Sequence, residues 1–158
     1  MHYCEAGTLT TMITNAKKNK TFLSEQLIMK WVVQLTLAIN YMHELHCLHR
    51  DIKPMNVMLT EGGELVQLAD FGLAVIVEEE EKSNGSVDEA GTPYYTAPEI
   101  ITRESYSYPA DCWSFGVIIY QLLTLERPFD GNNTTELVKS ILTQDPPIIT
   151  SHYSEELK

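Results

Sequence analysis

Across residues 24–45 the apolar side chains Ile28, Trp31, Val32, Leu35, Ala38, Ile39, Met42 and Leu45 recur at helical spacing, behind Ser24, a residue suited to cap a first turn. A helix of that length must bury its stripe against a partner. A second apolar run, residues 110–125, is predicted to be helical from Pro109 and apolar nearly all round, as a central buried helix is. Between the two lie strand signals at residues 57–59 and 65–68, separated by the turn Glu61-Gly62-Gly63-Glu64. A last short helix is expected over residues 137–142, before the breaker Asp145-Pro146-Pro147. The expected fold class is mainly α with a small β-hairpin, in one domain over residues 1–158.

A net charge of −11 argues against a nucleic-acid or anionic-membrane partner, since both require a basic face. Residues 110–125 are interrupted by Asp111, Ser114 and Gln121 and are too short and too polar to span a bilayer. Three scattered cysteines, Cys4, Cys47 and Cys112, do not make a disulfide framework, so an intracellular, cytoplasmic setting is expected. The glycosylation-like triplets at Asn84, Asn132 and Asn133 are discounted for want of a secretion signal. Residues 78–90, EEEEKSNGSVDEA, read as an exposed acidic loop.

The stretch HRDIKPMNVML, residues 49–59, sets an Arg, an Asp, a Lys and an Asn between apolar runs, which core packing does not explain. Asp51 follows the long helix and Asn56 enters the first strand, so both can face one cleft. Asp70 ends the second strand in Asp70-Phe71-Gly72, where the glycine is expected to permit a sharp turn. Two carboxylates and an amide converging there can hold a hard cation such as magnesium through oxygen. His43, His46, Cys47 and His49 match no common zinc spacing, and ordinary helix-end packing is the simpler reading.

In this order and spacing HRDIKPMNVML, DFGLA, GTPYYTAPE and DCWSFGVIIYQLLT resemble the C-terminal lobe of a eukaryotic protein kinase, over essentially the whole chain. MHYCEAGTL resembles the hinge that carries adenine. WVVQLTLAINYMHELHCLHRDIK, the GTPYY run and PPIITSHYSEEL resemble the NIMA-related serine/threonine kinases. The resemblance implies an ATP- and Mg2+-dependent enzyme acting on serine and threonine hydroxyls of proteins. It assigns Asp51 to the substrate proton, Lys53 to the transferring phosphate, and Asn56 and Asp70 to magnesium. It sets Met1 at the gatekeeper position, Cys4 against adenine and Met58 under the base, with plain core or hinge packing as the rival for these three. His49, Phe71 and Asp111 match positions that brace the catalytic loop. Lys53 and Thr92 favour serine/threonine over tyrosine specificity.

The same resemblance implies that the match begins at the hinge. A glycine-rich loop, a strand lysine and its helix glutamate then have no counterpart in residues 1–158, nor does the arginine that pairs with the family's equivalent of Glu99. On that expectation the chain is a C-terminal-lobe fragment with the N-lobe absent, inactive alone. The alternatives are a non-catalytic lobe that binds proteins and a degenerate product that does not fold stably. Asp88 stands where many kinases carry an activation-loop phosphosite, with Arg50 as the partner the resemblance supplies. The rival reading is that Asp88 continues the acidic run, with Ser83 and Ser86 as phosphosites.

Overall fold

The computed structural model describes residues 6–76 and 93–150, with residues 153, 154 and 157. In chain order the elements are α1 (Leu9–Asn19), α2 (Glu25–Glu44), β1 (Cys47–Leu48), β2 (Val57–Thr60), β3 (Leu65–Leu68), β4 (Val75–Ile76), α3 (Pro98–Ile101), α4 (Tyr108–Thr124) and α5 (Thr134–Thr143). β2 and β3 form the expected antiparallel hairpin, with Val57 opposite Leu68 and Thr60 opposite Leu65. A second, unexpected pair joins β1 to β4, with Cys47 opposite Ile76. Among the described residues no helix is long and apolar enough to cross a membrane.

The long helix starts where its cap predicts: Ser24 Oγ accepts from Leu27 N at 3.4 Å. Ile28, Trp31, Leu35, Ile39 and Met42 are buried along one stripe. They share a core with Ile118, Leu122 and Leu123 of α4 and with Val57 and Leu59 of β2. Burying side chains of this size contributes about 1.5–3 kcal/mol each, before chain entropy is charged against it. Leu45 corrects the expected stripe. The helix stops at Glu44, and Leu45 is 55% exposed. Polar bonds tie the hairpin to α2 as well. Trp31 Nε1 donates to Gly63 O at 2.8 Å, and Gln34 accepts from Val66 N at 3.1 Å.

The central helix α4 is less enclosed than its composition suggests, since Pro109, Cys112 and Gly116 reach solvent. Its polar interruptions Asp111 and Ser114 lie on the buried side. α1 was not among the expected elements. Thr8 caps it by accepting from Thr11 N at 3.3 Å, and Leu9, Ile13 and Ala16 are buried. The segment just before α1 lies along β2, where Leu59 N donates to Gly7 O at 2.8 Å. α5 is longer than expected because Asn133 caps it, accepting from Glu136 N at 2.9 Å, while Glu136 accepts from Asn132 N at 3.0 Å. Those Asn132 bonds hold the Glu136 carboxyl below its usual range. Near the end of the chain, Tyr153 donates to Leu23 O at 2.9 Å, and Ser154 donates to Glu25 at 2.6 Å.

Candidate active site

One buried carboxylate organises the loop after α2. Asp111, in the first turn of α4, is fully buried and takes four donors. Its Oδ2 accepts from His43 Nε2 and from His49 N, both at 3.0 Å. Its Oδ1 accepts from Arg50 N at 3.0 Å and from the Tyr106 hydroxyl at 3.1 Å. A carboxylate so placed is stabilised by charge-assisted bonds and by the positive end of the helix dipole. Burial, followed by the Asp111 charge, pushes the Tyr106 hydroxyl far above the ordinary phenol range, so it stays a donor. Arg50 has φ +69, a left-handed conformation that costs a non-glycine residue of order 1–3 kcal/mol. The two adjacent N–H groups bonded to one carboxylate hold that bend in place.

His49 is buried, and its ring ties the residue just after β3 to the loop at Asp51. Ala69 O can only accept, so Nε2 donates to it at 3.2 Å. Nδ1 then accepts from Asp51 N at 3.3 Å, which requires the neutral ring. Burial, the leading cause, pushes the His49 pKa below its usual value in the same sense, with the Asp111 charge opposing. Phe71 leans on this ring with centroids 5.1 Å apart, yet it is 53% exposed, so its support is one-sided.

Asp51 is fixed by two cations or dipoles on a single oxygen. Lys53 Nζ lies 2.7 Å from Oδ2, and Asn56 Nδ2 donates to Oδ2 at 2.8 Å and to the Asp51 carbonyl at 2.8 Å. No described residue hydrogen-bonds to Oδ1, which leaves that oxygen for an incoming hydroxyl. The 3-10 turn Pro54–Asn56 buries Asn56 and returns it to Asp51. Ala69 N donates to Asn56 O at 2.8 Å, so the next residue, Asp70, emerges beside Asn56.

The turn at Asp70-Phe71-Gly72 differs from expectation. Asp70 itself carries the left-handed conformation, at φ +66, and Gly72 does not. Aspartate tolerates this region because its short side chain can bond locally. Here Oδ1 accepts a long bond from Gly72 N at 3.4 Å. Glycine eases the close approach, since a Cβ at residue 72 would lie 3.2 Å from that oxygen. Asn56 spends its N–H2 on Asp51, leaving its amide oxygen, and Asp70 offers an exposed carboxylate. Two oxygen donors suit a magnesium ion that keeps waters and shares a substrate's phosphates. Among the described residues, no group of three His, Cys, Asp or Glu side chains is placed to hold a metal ion by itself.

The other predicted residues are dispersed. Met58 is half-buried in β2 and bridges Thr8. Glu99 lies in α3, and the Arg50 guanidinium lies 5.6 Å from the centre of the Tyr106 ring. Met1, Cys4, Asp88 and Thr92 lie outside the described residues. Sequence reasoning missed Tyr106 and the part played by His43. Their signal was a lone acid, Asp111, inside an apolar run, which must find buried donors. Beyond the loop, Ser114 donates to Tyr95 O at 2.7 Å, and the Tyr95 hydroxyl donates to Gln121 at 2.7 Å. Residues 93–97 are thus fastened along the same helix that holds the catalytic-type loop.

Comparison with known proteins accords with this arrangement. The family description "Protein kinase domain" matches residues 1–158. Mouse serine/threonine-protein kinase Nek1 is 40% identical over 162 residues, covering 100% of this chain and 13% of its own length. Human Nek5 is 37% identical, covering 99% of this chain and 22% of its own length, and human Nek2 is 38% identical, at 99% and 36%. The chain therefore spans about a third or less of the length of these relatives. It belongs to the protein kinase domain family, among relatives that are Nek (NIMA-related) serine/threonine-protein kinases.

Proposed function

We propose that this chain supplies the catalytic loop of a serine/threonine protein kinase that transfers the γ-phosphoryl group of ATP to protein hydroxyls. The single observation behind this reading is the Asp51 carboxylate, gripped on Oδ2 by Lys53 and Asn56 with Oδ1 left open. A substrate hydroxyl meeting Oδ1 gives up its proton there as its oxygen bonds phosphorus and the bond to the departing ADP oxygen breaks. Lys53, already 2.7 Å from Asp51, is close enough to face negative charge on the transferring group. Asn56 and Asp70 would hold magnesium, which when bound neutralises charge on the phosphate oxygens. Met1, Cys4 and Met58 would meet the adenine.

We further read residues 1–158 as the C-terminal lobe, requiring an N-lobe for useful turnover. Kinase chemistry is mostly positioning, so a lobe that lacks half the nucleotide's contacts turns over poorly. The test is phosphorylation of a generic protein substrate by the full-length gene product with Mg2+ and ATP, followed by phosphoamino-acid analysis. Phosphoserine or phosphothreonine is expected. Phosphotyrosine alone, or protein binding without any transfer, overturns the reading, and the latter outcome favours a non-catalytic binding lobe.

A further inference from the structure

Arg127 follows α4 in a short exposed turn, and its guanidinium carbon lies 3.6 Å from the centre of the Tyr94 ring. Stacking on an aromatic face fixes the plane of the guanidinium, whose five N–H donors lie around its edge. No carboxylate pairs with it among the described residues, although the chain is strongly acidic. The adjacent acid is drawn elsewhere: Glu126 pairs with Lys17 of α1 at 2.6 Å. Burial raises the pKa of the Tyr95 hydroxyl, and Arg127 opposes that rise by its charge and by a hydrogen bond to the hydroxyl, which engages part of its donor edge. The result is a guanidinium stacked on Tyr94, with no carboxylate partner among the described residues and with donors left over from Tyr95.

Its location is set by α4. Asp111 holds the backbone just before Asp51, whereas Tyr95 bonds Gln121 near the other end of the helix. At 1.5 Å per residue those anchor points are about 15 Å apart. An extended peptide covers that span in roughly four or five residues. Resting on the kinase reading above, we infer that Arg127 selects an anionic side chain in the protein substrate, roughly four or five residues from the phosphoacceptor. The bidentate geometry fits the carboxylate of an aspartate or glutamate, or a phosphate already placed on the substrate. The chain's general negative field does not decide the matter, because screening limits it to about 8 Å while this contact is direct.

The experiment uses the full-length protein and serine peptides in which one position at a time carries Glu, Gln, Lys or phosphoserine. Affinity is read by fluorescence anisotropy and turnover by kcat/KM. At one position roughly four or five residues away, Glu should be favoured over Gln roughly threefold to tenfold. Arg127→Ala should reduce that ratio to about one, Arg127→Glu should shift the preference to Lys, and Arg127→Lys should retain part of it. Tyr94→Leu, which removes the platform and keeps the charge, should weaken it. A larger gain for phosphoserine than for Glu would identify a primed substrate, and the reverse would identify an acidic one. Phosphorylation with no anionic preference, or with a preference that survives Arg127→Ala, overturns this inference and leaves the kinase reading intact. Absence of any phosphorylation strikes the kinase reading instead, and the anisotropy ratios still decide the role of Arg127.

Discussion

Replacing Asp111 by Asn exchanges one carboxylate oxygen for an amide NH2 and tests whether this carboxylate holds the catalytic-type loop. The native side chain accepts two bonds on each oxygen, from His43 and His49 on one and from Arg50 and Tyr106 on the other. An asparagine keeps one acceptor oxygen. Whichever way its amide turns, an N–H2 group faces two donors that have lost their acceptor in a fully buried site. Each stranded buried donor costs about 1–3 kcal/mol, so Asp111→Asn should lose about 2–4 kcal/mol after partial relaxation of the two mobile donors. Tyr106→Phe removes one donor and leaves the other three bonds, and should lose about 1–2 kcal/mol. In urea unfolding of the full-length protein, a slope of about 2 kcal/mol per molar turns these losses into midpoint shifts of about 1–2 M and 0.5–1 M. The loop should loosen with them, so the amides of His49 and Arg50 should exchange faster in hydrogen-exchange measurements. A variant Asp111→Asn within about 0.5 kcal/mol of wild type, with those two amides still protected, would refute the reasoning.

Burial lowers the His49 pKa relative to the unfolded chain. Its contribution to stability is therefore complete above the unfolded value near 6.5 and lost as pH falls toward the lowered folded value, at up to about 1.4 kcal/mol per pH unit. Comparing wild type with His49→Phe by denaturation between pH 7.5 and 5.5 should show a shallower pH slope in the variant. Residues 1–158 alone should bind Mg-ATP very weakly in isothermal titration, and a micromolar constant, about −8 kcal/mol, would contradict the lobe reading. On the expectation that Asp88 substitutes for an activation-loop phosphate beside Arg50, Asp88→Asn in phosphatase-treated full-length protein should lower activity by up to about fivefold. Activity that vanishes on dephosphorylation and ignores the substitution would remove that idea.

The long helix and the hairpin were legible because each has a repeating pattern and a stop signal: the 28-31-35-39-42 stripe behind Ser24, and two alternating runs around Gly62-Gly63. α1 was not, because the residues after Gly7 carry a weak helical period and only MHYCEAGTL, residues 1–9, was read, as a hinge. Two-residue strands such as β1 and β4 exist through tertiary pairing and leave no local trace. The motif residues were legible as a set, but their geometry was not. Placing the left-handed bend on Gly72 followed residue preference, whereas packing sets it on Asp70. Asp111 was legible as a brace, while its partners His43 and Tyr106 were not, because hydrogen bonds spanning 68 residues in one case and the short turn before α4 in the other depend on the finished fold. Nothing local to Arg127 marks its place in the sequence. Its contact with Tyr94 depends on how the turn after α4 returns to residues 93–97.

The most direct test of the central claim is single-turnover phosphoryl transfer by the full-length protein, wild type against Asp51→Asn, with nucleotide affinity measured alongside. Asparagine preserves the shape beside Lys53 and Asn56 but cannot take the hydroxyl proton. The account predicts transfer slowed by about 10²–10⁴-fold with ATP affinity changed less than about threefold. Transfer in Asp51→Asn at the wild-type rate would contradict it, as would a loss traced entirely to nucleotide binding.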